Sequence, residues 1–203
     1  MTIVRLAAIV EGHGEVKAVP RLIGRIAREV TPGVVVVLCP VLRVPASRLR
    51  LEGELERQVE RAARGMSGRG GIVVLIDCDH KDGCPAEEGP ALSLRARKAR
   101  PDMEISVVLA RQEYEAWFIA AAESLRGQCG LPDDLIGDPS PESIRGAKEW
   151  LSRHMPRNRR YGETADQAAL TSVFDMQAAR CADSFDKCYR EIRRLLTSLG
   201  ANQ

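Results

Sequence analysis

The chain has 203 residues, of which 44% are hydrophobic and 29% charged, a mixture that excludes wholesale disorder, collagen-like repeats and a coiled-coil rod. Thirty Lys plus Arg against 28 Asp plus Glu leave a formal charge of +2, too small to declare a nucleic-acid or membrane partner, so electrostatics must be argued locally. The six cysteines form no C-x-x-C pair, and the longest uncharged apolar runs fall far short of the roughly 20 residues that a membrane helix needs. The reading is a cytoplasmic protein with reduced thiols and no membrane partner.

Along the chain, residues 3–10, 34–41, 72–77 and 105–109 are short aliphatic runs rich in β-branched side chains, the signature of strands buried on both faces. Between the first two, Val16, Val19, Leu22, Ile23 and Ile26 recur at helical spacing, although Pro20 is expected to kink that helix or delay its start. Residues 52–64 and 86–100 read as two further helices, the second interrupted by Gly89 and Pro90. Strand and helix alternation implies a parallel sheet. After Leu109 the strand signal ends, and residues 112–125, 141–154, 164–180 and 184–199 read as helices. A Gly- and Pro-rich stretch at 127–141 marks a hinge. The expected fold class is α/β, a four-stranded, mainly parallel sheet flanked by helices, with residues 1–126 forming the α/β domain and 127–203 a helical extension packed on it.

In a parallel sheet all strands end on one side, where ligands bind. The first strand runs into Glu11-Gly12-His13-Gly14-Glu15, the third into Asp77-Cys78-Asp79, and the fourth is followed by Glu113-Tyr114-Glu115. Three acidic clusters should therefore converge on one edge. Asp77 and Asp79 lie two apart, so in extended backbone both face the same way and can share an ion. Carboxylates without a His-rich shell suit Mg2+ or Mn2+, which bridge carboxylates to substrate phosphates. Glu15 and Asp82 also fit the plainer role of helix caps, and His13 that of an exposed loop residue. Cys78-x-His80 with Cys84 offers softer ligands, but the spacing matches no common structural zinc site and a fourth ligand is missing.

An E-G-x-x-E motif after the first strand with D-x-D after a later one resembles the Toprim domain. That domain is shared by topoisomerases, primases, recombination proteins and the nuclease half of ATPase-linked phage-defence enzymes. The wider pattern is similar to an uncharacterised bacterial Toprim-like family, through Val10 to Glu15, Leu75 to Asp79 and Glu113 to Trp117, with Tyr161 and Ser184-Phe185 matching motifs in its tail. The resemblance implies a Toprim/Rossmann-like fold. It implies that Glu11 acts as acid or base beside the metal and that Asp77 and Asp79 bind it; Glu113 and Glu115, after the fourth strand, are the further candidate ligands, with the choice between them left open.

The stretch 145–161 carries Arg145, Lys148, Arg153, His154, Arg157, Arg159 and Arg160 against the single acid Glu149. Arg145, Lys148, Arg153, Arg157, Arg159 and Arg160 are the candidate nucleic-acid contacts, with Trp150 or Tyr161 available to stack on bases. A solvated basic helix end is the plainer alternative. No phosphate-binding ATPase loop occurs. The function expected is a Mg2+- or Mn2+-dependent phosphodiesterase, a nuclease acting on DNA or RNA; the Toprim resemblance implies a place in phage defence with a separately encoded ATPase as partner. The rival is a non-catalytic acidic module that binds a metal or phosphate and regulates a partner protein.

Overall fold

The computed structural model describes residues 2–66, 68–80 and 83–201; Asp82 lies outside them. The four aliphatic runs form β1 (Thr2–Val10), β2 (Val34–Arg43), β3 (Gly71–Cys78) and β4 (Glu104–Arg111), paired in parallel in the order β2-β1-β3-β4. The helices are α1 (Glu15–Val30), α2 (Ala46–Leu49), α3 (Glu54–Gly65), α4 (Pro85–Ala99), α5 (Ala116–Ala120), α6 (Ala147–His154), α7 (Ala168–Val173), α8 (Met176–Ala179) and α9 (Asp183–Ala201). The chain thus adopts the expected α/β fold, a parallel sheet flanked by helices with a helical C-terminal part.

Strand alternation sorts the core into two layers. Val73 and Leu75 of β3 join Leu22, Ile26, Phe185 and Leu195 in the core under α1 and α9, while Ile72, Val74 and Ile76 join Leu55, Val59, Leu92 and Ala96 under α3 and α4. β3 is buried at every position, as a central strand covered on both sides must be. The stripe of α9, from Phe185 through Cys188, Tyr189, Ile192, Leu195 and Leu196 to Leu199, is buried throughout. At about 1.5–3 kcal/mol for each large aliphatic or aromatic side chain removed from water, that face alone accounts for the helix.

Pro20 does not delay α1, which begins at Glu15 and continues past it to Val30. An interior proline costs about 3 kcal/mol, less than the burial of Val19, Leu22, Ile23 and Ile26 supplies. Likewise Gly89 and Pro90 stay inside α4, where Pro85 opens the helix. The expected helix over 112–125 shrinks to α5 and a 3-10 turn at Ala122–Leu125. The cause lies at its start: Gln112 takes a left-handed φ of 65° and donates its N–H to the Cys78 carbonyl, and Tyr114 donates its N–H to the Asp77 carboxylate. Those amides serve the sheet and the site instead of a helix. The expected helix over 141–154 is divided by Gly146 at φ 74°, with α6 beginning just after it. The one over 164–180 becomes a π-helical turn (Glu163–Gln167), α7 and α8, because the Asp175 carboxylate accepts the N–H groups of Gln177 and Ala178 and starts a new helix.

Candidate active site

The chain leaves β1 to build β2 on one side and then returns to build β3 on the other, so the connections diverge between the carboxyl ends of β1 and β3. Such a point of reversal opens a crevice where open α/β sheets bind ligands. Glu11 follows β1 directly and Asp77 is the penultimate residue of β3. The Asp77 N–H donates to Glu11 Oε2 at 3.2 Å, so the two residues meet across adjacent strands. Asp79 lies one residue past the end of β3 and is exposed, and its charge bears on Glu11. The third acidic segment also arrives: Asp77 Oδ1 accepts the Tyr114 N–H at 3.0 Å, pinning the turn that carries Glu113 and Glu115.

Alternation turns Asp77 toward the α1 and α9 layer, where it is buried with Glu15 and Glu115. Glu15 Oε2 accepts the N–H groups of Glu11 (2.9 Å) and Gly12 (3.1 Å), closing the turn between β1 and α1. It does not cap α1, whose N-cap is Gly14 with no side-chain partner; the Glu15 carboxylate turns back onto the loop that precedes the helix. Glu115 has no exposed surface. Its Oε1 accepts from the Tyr161 hydroxyl at 2.7 Å and from Gln167 Nε2 at 3.1 Å. Among the described residues, its Oε2 has no hydrogen-bond partner.

Lys148, in the first turns of α6, reaches into this group. Its Nζ lies 3.3 Å from Glu113 Oε1, 3.5 Å from Glu163 Oε2 and 4.0 Å from Glu115 Oε2. Its backbone N–H also donates to Glu113 Oε2 at 3.3 Å. Burial disfavours its charge, but Glu115, Asp77, Glu113 and Glu163 outweigh that and raise its pKa. A single ammonium does not neutralise so many acids. Burial first, then mutual repulsion, pushes the Glu15 carboxyl up to about 7 and holds Asp77 well above the usual carboxylate range. Burial likewise brings Glu115 to about 7, against the opposing pull of Lys148 and Tyr161. Glu11 is raised too, chiefly by desolvation, with the Asp77 and Ala46 amides acting against it.

Glycine is required at one point of this architecture. A Cβ on Gly14 would stand 2.4 Å from the Glu163 carbonyl oxygen and 2.4 Å from Gln167 Oε1. The start of α1 is therefore pressed against the π-helical turn, which brings the Gln167 amide to Glu115. A carboxylate oxygen buried without a donor, beside carboxyls that resist ionisation, is the environment that a bound cation would relieve. Oxygen ligands alone would suit a hard divalent ion.

The basic segment adjoins this cluster. Arg145, Lys148, Arg153, Arg157, Arg159, Arg160 and Tyr161 line one open groove of about 960 Å³. All five arginines are exposed, whereas Lys148 is half-buried and Tyr161 turns its hydroxyl inward to Glu115. Lys148 and Tyr161 thus belong to both the groove and the acidic cluster. Arg159 is paired with Asp166, and the Trp150 ring lies against His154 with centroids 4.0 Å apart. His13 is exposed on the turn. Ser184 serves structure: its Oγ accepts from Trp117 Nε1 at 2.8 Å and from the Arg111 N–H at 3.1 Å.

Sequence reasoning did not anticipate the inward turn of Lys148, nor Gln167 and Glu163 at the site. These residues come from segments 35 or more positions beyond the strand ends, and no spacing rule links them. For Tyr161 the signal was the tail motif; for Lys148 it was the lone lysine among arginines.

A family model described as "Domain of unknown function (DUF4276)" matches residues 10–193. None of the curated proteins matches the chain. Among solved structures, the C-terminal region of the Xanthomonas campestris pv. campestris OLD protein is similar at 15% sequence identity and a TM-score of 0.42, over 96% of this chain and 97% of that one.

Proposed function

The chain belongs to the DUF4276 family, and from that premise we propose that it is a Mg2+- or Mn2+-dependent phosphodiesterase of the Toprim kind, a nuclease acting on DNA or RNA. The observation that carries this reading is the join between two sites: acids at the β1 and β3 strand ends open beside an arginine-lined groove, with Lys148 and Tyr161 at the boundary. An acidic pocket alone repels a phosphate backbone. A basic groove alone binds one without cutting it.

In this reading Glu11, Asp77, Asp79, Glu113 and Glu115 would hold the ion. Bound there, Mg2+ or Mn2+ supplies charge neutralisation at the phosphate and a water of lowered pKa. The chain's own groups do the rest. Arg145, Arg153, Arg157 and Arg160 bind the backbone on either side of the scissile phosphate. The Tyr114 amide fixes the Asp77 carboxylate, and the Asp77 amide fixes that of Glu11. Glu11, whose pKa is raised by its surroundings, accepts a proton from attacking water or returns one to the leaving oxygen. The resemblance to Toprim nucleases extends the proposal to phage defence with a separately encoded ATPase.

One observation favours the rival, a non-catalytic module: Lys148 already places a cation among the acids. A single experiment separates the two. Purified protein is titrated with Mg2+ or Mn2+ on mixed single- and double-stranded DNA and RNA, alone and with any co-encoded ATPase, in parallel with Asp77→Asn. The nuclease reading expects metal-dependent cleavage that Asp77→Asn abolishes while binding is kept or tightened, since one repelling charge is gone. Absence of both binding and cleavage at every metal concentration would overturn the nuclease reading in favour of the regulatory module.

A further inference from the structure

The last turn of β3 carries chemistry on both faces. Asp77 points into the acidic cluster, and the next residue, Cys78, points to the opposite layer under α4, where it is buried. There Cys78 Sγ lies 3.6 Å from Glu88 Oε1, and His80 Nε2 lies 2.8 Å from the same oxygen. The three ligand atoms fall within 4.8 Å of one another. The other Glu88 oxygen is held by Arg50 Nε at 3.1 Å, and Arg50 Nη2 donates to the Asp77 carbonyl at 3.1 Å. Glu88 is thereby oriented with one oxygen toward the thiol and imidazole, the arrangement that outer hydrogen bonds impose on metal-binding carboxylates.

From this geometry we infer that Cys78, His80 and Glu88 form a zinc site on the far side of β3 from the acidic cluster. With zinc bonds of about 2.0–2.3 Å, tetrahedral ligand atoms sit roughly 3.3–3.5 Å apart. The sulfur-to-oxygen separation already fits. The shorter imidazole-to-carboxylate distance is that of a hydrogen bond, which the ion replaces. Gly83 lies close against the site: a Cβ on it would stand 2.7 Å from His80 Cε1 and 2.8 Å from Cys78 Sγ. Cys84 directly precedes α4, and its carbonyl accepts the Glu88 N–H at 2.9 Å. A thiolate, an imidazole and a carboxylate form a borderline-soft set, unlike the all-oxygen cluster behind it. On binding, the Zn–S bond forms as the Cys78 proton passes to solvent. The ion would tie β3 to α4 across the loop that carries Asp79.

The test uses the full chain stripped of metal and titrated with Co2+ alone and then Zn2+ alone. One equivalent of Co2+ should produce a thiolate-to-cobalt charge-transfer band that Zn2+ abolishes. His80→Ala and Glu88→Gln should each weaken binding by at least the roughly 10- to 100-fold that loss of an outer partner costs, and Cys78→Ser should remove the band. His80 is exposed, so its variant keeps the test valid where Cys78→Ser fails to fold. Glu115→Gln, which alters only the acidic cluster, should leave the band intact. No charge-transfer band in the wild type, or Zn2+ affinity unchanged in both His80→Ala and Glu88→Gln, would overturn the assignment, whatever the outcome for nuclease activity.

Discussion

Glu15, Asp77 and Glu115 make the molecule's stability depend on pH in a direction opposite to that of ordinary paired carboxylates. Glu15 and Glu115 titrate near 7 in the folded chain against an ordinary value of 4.5, and Asp77 is raised as well. Between those limits the native state holds more protons than the unfolded one, so stability falls as pH rises from about 4.5 through about 7. Glu115→Gln removes one contributor. Chemical denaturation at about pH 5 and about pH 8 should therefore show a smaller difference for the variant than for the wild type. Saturating Mg2+ should also shrink the wild-type difference, because the ion favours the ionised carboxyls that burial disfavours. Identical differences in all three samples would show that these acids are relaxed by solvent and need no cation.

Two contacts between elements set the site, and each has its own test. Gly14 brings α1 against the turn Glu163–Gln167, and Gly14→Ala would force its methyl onto the Glu163 carbonyl oxygen at 2.4 Å. Because that atom is backbone, the turn must retreat, at a cost of roughly 1–3 kcal/mol, taking the Gln167 amide away from Glu115. Urea unfolding should register the loss, and any metal-dependent cleavage should fall with it. The second contact is α9 on the sheet. Leu195 is fully buried there, so Leu195→Ala should lower unfolding free energy by roughly 2–5 kcal/mol without altering the salt dependence of nucleic-acid binding. A loss below about 0.5 kcal/mol, the range of surface substitutions, would mean that α9 does not hold the sheet.

At the scale of the molecule, a formal charge of +2 conceals a strong local separation of charge. Acids gather at the β1 and β3 strand ends, and arginines line the adjoining groove. Neutralising Arg157, Arg159 and Arg160 together should weaken nucleic-acid binding for many sequences alike and reduce its salt slope by up to roughly 2 to 3. Arg159 contributes least, being tied to Asp166. Filter or fluorescence binding at several salt concentrations measures both effects, and an unchanged slope would remove the groove from the proposal.

The sequence by itself determined the sheet and the strand-end acids. Buried parallel strands need continuous aliphatic runs, and the residue that follows each run must stand on the carboxyl edge, so Glu11 and Asp77 were legible from local pattern alone. The stripe of α9 was legible for the same reason: a period of 3.6 residues reports a single buried face. Tertiary structure decided what no period encodes. It ended β3 before Asp79, turned the amide of Tyr114 to Asp77 in place of a helix, and drew Lys148 out of a basic run to meet Glu113 and Glu115. It also brought Glu88, ten residues along the chain, to Cys78 and His80. Those choices depend on which polar groups remain unsatisfied once the layers close, and only the closed layers reveal which groups those are.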